Sequence, residues 1–125
     1  MEEKKNITIR IYEVLGGANA ITSADGEIVF ERISKAFEND LGVTLDYDNI
    51  ELIVSTFLNA SVGQLYGSYS DEFIKNHLEV KNLTEPDVSL LKKVVQRAKG
   101  YFQNRKKMDE SISNILEDDP EPDEL

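Results

Sequence analysis

Few residues of this chain have the types and spacing that catalysis or metal binding requires. The chain has no cysteine and one histidine, His77, which excludes thiol nucleophiles, zinc ribbons and disulfide frameworks. His77 lies on a short polar segment, where we expect a surface side chain without a chemical role. Asp46 and Asp48 flank the end of a predicted strand, where such a pair is typical of a turn; a magnesium ligand at Asp46 is the alternative. We therefore expect no catalytic residue, no metal ion and no cofactor.

The polar residues of greater interest are Ser55 and Thr56, at the predicted start of a helix. From Ser55 the small residues Asn59, Gly63 and Gly67 follow at every fourth position, so they form a ridge on one helix face. Each glycine costs a helix about 1 kcal/mol relative to alanine, which indicates close approach to another group. The ridge either packs tightly against the sheet or a neighbouring helix, or it forms a docking groove. The two hydroxyls are either ordinary N-caps or a modification site.

Alternating strands and helices must position these residues. The hydropathy pattern predicts strands over 7–14, 43–47 and 78–83, and helices over 22–40, 55–69, 70–77 and from 84 onward. Hydroxyl residues suited to opening a helix stand at Thr22, Ser70 and Thr84. A strand, a helix and a strand of these lengths favour parallel pairing through a right-handed crossover. The predicted fold class is therefore α/β.

Charge is distributed unevenly along the 125 residues, which have room for a single domain. The net charge is −10, with seven basic and no acidic residues in 88–107 and eight acidic and no basic residues in 108–125. Such a balance disfavours nucleic acid and anionic membrane surfaces as partners, and no apolar run is long enough for a membrane span. We expect a cytoplasmic protein with one domain over 1–107, followed by an amphipathic segment and a disordered acidic tail over 108–125.

The segment after residue 107 carries apolar residues at helical spacing. They are Met108, Ile112, Ile115 and Leu116, which fit one face of a short amphipathic helix. This helix either folds back as a brace on the domain or offers a hydrophobic anchor to a partner or to a second copy of the chain. The adjoining basic and acidic blocks can attract each other within the chain or between subunits. A homo-oligomer is therefore left open.

Four stretches of the sequence resemble the STAS-like domain family of unknown function. They are STFLNASVGQLYG at 55–67, NAITSADG at 19–26, LEVKNL at 78–83 and VVQRAKGY at 94–101. The resemblance extends over residues 7–105. The wider STAS family, named for sulphate transporters and anti-sigma factor antagonists, is similar in layout. The resemblance implies a small mixed sheet with helices mainly on one face, to which the sequence adds a long C-terminal helix.

The resemblance also implies a mode of action. Bacterial STAS proteins work by partner switching, in which a kinase of the GHKL ATPase type phosphorylates a serine or threonine at the start of the helix after a central strand. In this chain that position falls on Ser55 and Thr56. Two departures from the antagonist motif are visible. Val54 stands where the antagonists have an acidic residue, and Phe57 replaces the small residues that follow.

Three functions follow, in order of preference. The first is a non-catalytic regulatory module, similar to anti-sigma factor antagonists, that binds a protein such as a GHKL-type ATPase or another regulator through the Ser55 end of the ridge. The second is an acidic inhibitor or subunit of a phage-related or defence system that occupies a basic groove on its target. The third is a small-molecule-binding or enzymatic domain, which requires a concave apolar pocket near Ser55 and Asp46.

Overall fold

The computed structural model describes the backbone of residues 5–118 and the side chains of residues 5–108. Its α-helices in this part of the chain are α1 (Ile11–Leu15), α2 (Ser23–Glu38), α3 (Ser55–Ser61), α4 (Asp71–His77) and α5 (Glu85–Asp118). A 3-10 helix follows α3 over Gly63–Gly67. The strands are β1 (Asn6–Arg10), β2 (Asn19–Ala20), β3 (Gly42–Asp46), β4 (Leu52–Ile53) and β5 (Leu78–Lys81).

The main sheet has three parallel strands in the order β1, β3, β5. Ile9 lies opposite Leu45, which lies opposite Val80. A separate parallel pair joins β2 to β4. The predicted α/β class is confirmed, with one correction: the described strands pair in parallel throughout and do not form a mixed sheet. At least one helix lies between the two strands of every pair. Such a crossover brings the chain back to the end of the sheet where the first strand began, so the second strand runs in the same direction.

The two faces of the main sheet differ in polarity. Ile9, Val43 and Leu45 share one face and belong to the hydrophobic core. The helices complete this core with Val29, Ile33, Phe37, Phe57 and Leu58. On the other face Thr44 accepts a hydrogen bond from Asn6 Nδ2 at 2.8 Å and donates one to Glu79 at 3.2 Å. The helical core therefore lies against the apolar face of the sheet.

The first strand is shorter than its alternating pattern predicts. β1 ends at Arg10, and the fully buried Ile11 begins α1 instead. Gly16 ends α1 in the left-handed region, with φ of 72°. A glycine in this conformation is a common helix terminus. Residues 11–16 thus form a short helix with its terminal glycine. The alternating isoleucines before it suggest a longer strand and so hide this helix in the sequence.

The helix predicted over 55–69 is divided into two. α3 ends at Ser61, and the chain continues as the 3-10 helix from Gly63. The Ser61 hydroxyl donates to the carbonyl oxygen of Phe57 at 2.9 Å, and such a bond to the preceding turn weakens a helix. The low helix propensity of glycine adds to this effect. The ridge is therefore divided as well, since its two glycines lie on the 3-10 turn.

The starts of three helices match the sequence prediction. Thr22 Oγ1 accepts a hydrogen bond from the Asp25 N–H at 3.1 Å, and Ser70 Oγ accepts one from the Phe73 N–H at 3.1 Å. Thr84 has the same role at the start of α5, at 3.4 Å. Each hydroxyl satisfies one of the free N–H groups of a helix N-terminus, which explains why short polar motifs locate these boundaries well.

α5 is a single helix that continues past the predicted domain boundary at residue 107. The side chains of residues 103–108 are all exposed, Met108 by 63 %. The backbone stays helical to Asp118, so the predicted amphipathic segment continues α5 and is not a separate helix. None of the described helices, α5 included, has an apolar stretch that could cross a membrane. The predicted acidic tail begins at Glu117; its first two residues continue α5, and residues 119–125 lie outside the described part of the chain, as do the side chains of Ile112, Ile115 and Leu116.

Candidate functional site

A groove between α3 and α5 is lined by four of the residues that the sequence singles out, Ser55, Thr56, Asn59 and Gly63, whereas Gly67 and Met108 do not line it. Its volume is about 390 Å³. Small polar side chains line it from α3: Ser55, Thr56 and Asn59. Larger ones line it from α5: Val94, Arg97, Ala98, Tyr101 and Phe102. The short side chains of α3 leave the space that the groove occupies.

The groove combines an apolar floor with a polar rim. Val94 and Ala98 are buried and form apolar surface at its base. Tyr101 is 58 % exposed and presents an aromatic ring at the rim. Arg97 is also exposed and brings a positive charge to the lining. An apolar base with a few placed polar groups is typical of a binding site.

The glycine end of the ridge is packed against neighbouring side chains. A Cβ atom on Gly63 would lie 2.7 Å from Asn59 Oδ1, and one on Gly67 would lie 2.6 Å from the ring of Phe102. Tight packing therefore explains Gly67, which meets an aromatic ring, whereas at position 63 the nearest atom ends the flexible, exposed side chain of Asn59, and Ala98 Cβ follows at an ordinary contact distance of 3.6 Å. The polar end of the ridge differs, because Ser55 and Asn59 are exposed. Of the two interpretations of the ridge, close packing holds at Gly67, and a groove is present from Ser55 to Gly63.

Ser55 and Thr56 are not the N-caps of α3. Val54 occupies the N-cap position, with extended backbone angles and no capping hydrogen bond from its side chain. The two hydroxyl residues are the first two residues of the helix, and both are exposed. Neither side chain has a hydrogen-bond partner among the described residues. The interpretation of these hydroxyls as ordinary caps is therefore wrong.

Asp46 is committed to local hydrogen bonds at the C-terminal end of β3. Its carboxylate accepts from Asn82 Nδ2 at 2.8 Å and from the backbone N–H of Asp48 at 3.0 Å. These two bonds, with the nearby charge of Lys81, hold the pKa of Asp46 below its ordinary value of 3.8. The arrangement agrees with the predicted turn. Among the described residues, no cluster of three or more acidic or histidine side chains could hold a metal ion.

His77 is not the surface residue that the sequence predicts. Its side chain is only 9 % exposed, and its ring stacks on Phe73 with centroids 3.7 Å apart. Nδ1 lies 2.8 Å from the Phe73 carbonyl oxygen, and Nε2 lies 3.0 Å from Asp40 Oδ1. His77 thus links α4 to the turn after α2. Asp40 is 37 residues away along the chain, so no local pattern reveals this contact.

A larger groove, of about 770 Å³, lies along β1 and α2. Arg10, Arg32 and Lys35 bring positive charge to its lining, and Ile7, 38 % exposed, adds apolar surface. Among the described strands β1 pairs only with β3, so its outer edge is open. An open strand edge can accept an additional strand. This groove is therefore a competing docking face, which no spacing in the sequence marks.

Three contributors to the groove between α3 and α5 are missed by sequence reasoning. Arg97 and Tyr101 are one helical turn apart, a spacing that predicts only a shared helix face. Gln64 connects the groove to α2, because its Nε2 donates to Glu27 at 2.8 Å and to the Ala60 carbonyl oxygen at 2.7 Å. These roles depend on contacts between elements distant in sequence, which periodicity does not report.

The fold and the groove can be placed beside known families. A family model described as a STAS-like domain of unknown function matches residues 25–88. The chain belongs to this family. The matched part of the STAS-like domain runs from α2 into the first turn of α5 and includes all of α3. No curated protein and no solved structure matches the chain.

The resemblance inferred from sequence is thereby confirmed, over a shorter span than 7–105. Ser55, Thr56 and Asn59 lie inside the matched part of the STAS-like domain. Arg97 and Tyr101 lie beyond it, on α5. The groove is therefore formed between the matched region and the long helix that follows it.

Proposed function

We propose that this STAS-like protein is a non-catalytic, cytoplasmic regulatory module that binds a partner protein in the groove between α3 and α5. The observation that carries the proposal is the placement of Ser55 and Thr56, whose exposed hydroxyls line the groove without capping the helix. A partner gains apolar contact with the buried base of the groove and polar contact with its rim. Such a surface works by recognition and requires neither a nucleophile nor a metal.

Phosphorylation of Ser55 or Thr56 is the switch in this proposal. A phosphate brings nearly two negative charges to a rim where Arg97 supplies positive charge. The modified side chain would attract Arg97 and fill the entrance, so a partner that needs the apolar base would be excluded. The family resemblance supports a kinase of the GHKL ATPase type as both modifying enzyme and candidate partner. Mass spectrometry of the native protein tests this step, and unmodified hydroxyls under all growth conditions would contradict it.

Filling the groove tests the docking site. Asn59 is exposed within the lining, so Asn59→Trp places a bulky ring where the partner would sit. Ser89→Trp is the matched control, because Ser89 is exposed on α5 and outside the groove lining. In quantitative affinity capture from the native host, we expect the wild type and Ser89→Trp to enrich the same protein and Asn59→Trp to lose it. All three should show the same circular dichroism spectrum.

The groove along β1 and α2 is the alternative docking face, and a substitution there can show that the proposed site is wrong. Arg32→Glu reverses a charge in the groove beside β1 and leaves the groove between α3 and α5 intact. If Arg32→Glu lost the partner while Asn59→Trp kept it, docking would take place at the β1 edge and the proposed site would be wrong. A small molecule that bound the wild type and was turned over would contradict the non-catalytic assignment, since a groove of 390 Å³ is also large enough for a metabolite.

A second function, an acidic inhibitor or subunit of a phage-related or defence system, is favoured by the net charge of −10. Such a protein would occupy a basic groove on its target through its charged surface. Salt distinguishes the two functions. A charge mimic loses affinity steeply between low salt and roughly 0.15 M, where the Debye length is about 8 Å, whereas docking on an apolar base changes little.

A further inference from the structure

The outer edge of β1 has backbone groups that can bond to an additional strand. The Gly42 N–H donates to the Lys5 carbonyl oxygen at 2.7 Å, and Gly42 lies opposite Asn6. In a parallel pair, the residue opposite such a bonded residue points its own N–H and C=O away from the neighbouring strand. Asn6 and, two residues further on, Thr8 therefore point these groups to the outer edge. No other described strand pairs with that edge.

The groove along β1 and α2 lies beside this edge, on the apolar face of the sheet. Ile7, which is partly exposed, and the buried Ala36 give the groove apolar surface. β1 has five residues and is therefore about 17 Å long, enough to pair with an extended segment of similar length. The edge supplies backbone hydrogen bonds, and the groove supplies room for every second side chain of that segment. This is the arrangement by which a sheet edge takes up an extended peptide.

The charges of the groove distinguish between possible occupants. Arg32 and Lys35 line it from α2 and are both exposed. Neither has an ion-pair partner among the described residues. Glu13, the acidic residue of the lining, forms an exposed ion pair of 3.7 Å with Arg10 and so balances that charge. The groove therefore presents two uncompensated positive charges in a chain whose net charge is −10.

We propose that the β1 edge binds an extended, acidic segment of another protein, which adds a fourth strand to the main sheet. The backbone of the segment pairs with Thr8, and its acidic side chains approach Arg32 and Lys35. A second copy of this chain is disfavoured, because pairing of two β1 edges would set the two basic linings against each other. The groove shares no lining residue with the groove between α3 and α5, so the proposal does not rest on the proposed function.

A synthetic peptide of alternating glutamate and valine is the probe. Fluorescence anisotropy with the full-length protein should show saturable binding. A peptide of the same length with lysine in place of glutamate should bind at least about tenfold more weakly, because its charges are repelled. Methylating every backbone nitrogen of the glutamate peptide keeps its charges but removes the donors that pair with the edge, so affinity should fall as much. No binding of the glutamate peptide, or equal binding of its methylated form, would overturn the proposal.

Substitutions locate the peptide on the protein. Arg32→Glu reverses one of the two cations and should weaken binding of the glutamate peptide at least about tenfold. Arg105→Glu is the matched control, because Arg105 is exposed on α5 and lies outside both grooves, and it should bind the peptide as wild type does. A peptide lost with Asn59→Trp and kept with Arg32→Glu would lie between α3 and α5, which contradicts the site.

Thr8→Pro tests the strand edge itself. It removes an outward N–H and no hydrogen bond between β1 and β3, so the circular dichroism spectrum should be unchanged and the affinity for the glutamate peptide should fall. If the variant does not fold, the methylated peptide still decides whether backbone pairing takes place. A wild type that dimerises in sedimentation experiments, with Thr8→Pro monomeric, would assign the edge to a second copy and rule out the proposed occupant.

Discussion

Gly26 lies so close to Phe57 that a Cβ atom at position 26 would be 2.7 Å from the Phe57 carbonyl oxygen. The same atom would be 2.6 Å from the Cβ of Ala60. α2 and α3 therefore meet almost backbone to backbone at this point. This contact sets the position of α3 in the core and, through it, the position of Ser55 at the groove.

Adding a methyl group at this contact should destabilise the protein. Gly26→Ala forces α2 and α3 apart, and we expect the free energy of unfolding to fall by about 1–3 kcal/mol. This is the net loss that remains after the gain of about 1 kcal/mol that alanine brings to a helix. Gly100→Ala is the matched control, because Gly100 lies in α5 and a Cβ there would meet no atom within 4 Å. Chemical denaturation should show the control gaining stability, and a gain for Gly26→Ala as well would disprove the close contact.

Removing the hydroxyl of Tyr47 should stabilise the protein. Tyr47 is 1 % exposed, and its hydroxyl has no hydrogen-bond partner in the described part of the chain. A buried polar group without a partner costs about 1–3 kcal/mol, so Tyr47→Phe should raise the free energy of unfolding by about 1 kcal/mol or more. Tyr12→Phe, at a site 42 % exposed, should leave it unchanged. A less stable Tyr47→Phe variant would reveal a hydrogen bond to this hydroxyl.

Asp46 should stabilise the fold at neutral pH and lose this contribution in acid. Its folded-state pKa lies below 3.8 because the ionised carboxylate accepts hydrogen bonds from Asn82 and Asp48. The contribution is present above pH 3.8 and disappears as the pH falls through the folded-state pKa. We expect Asp46→Asn to cost about 1–2 kcal/mol at pH 7 and nothing in strong acid. The control Asp48→Asn should follow the wild-type profile, and parallel profiles for Asp46→Asn and wild type would contradict the assignment.

His77 should contribute to stability through its ring contacts and its bond to Asp40. His77→Ala removes the stacking on Phe73 and the contact at 3.0 Å with Asp40, and we expect a loss of about 2–4 kcal/mol. His77→Phe keeps the ring and should lose less. Thermal unfolding of the two variants separates these contributions, and equal transitions for wild type and His77→Ala would show that His77 has no structural role.

The features that follow from sequence are those set by short-range chemistry. Thr22, Ser70 and Thr84 locate three helix starts because each hydroxyl bonds within its own turn. Alternation of apolar and polar residues correctly predicts strands at β3 and β5, where Val43 and Val80 lie on the apolar face of the sheet. These are contacts between near neighbours or consequences of a fixed side-chain period.

The features that sequence reasoning misses depend on contacts between distant segments. Gly26 stands in a helix start and gives no local sign that Phe57 lies against it. Ser55 and Thr56 have the residue types of N-caps. With Ser55 as the cap, α3 would begin at Thr56, but it begins at Ser55, and Val54 occupies the cap position. The groove exists because α5 passes beside α3. Periodicity predicts which face of each helix is apolar, but it does not predict that these two helices pack against each other.

The most direct test of the proposed function is the affinity of the purified partner for a phosphate mimic. In titration calorimetry we expect Ser55→Asp to bind at least about tenfold more weakly than wild type, a difference of about 1.4 kcal/mol. Ser89→Asp, with the same charge at an exposed site outside the groove, should bind as wild type does. Equal affinities for Ser55→Asp and wild type would contradict the account, because the start of α3 would then lie outside the docking surface.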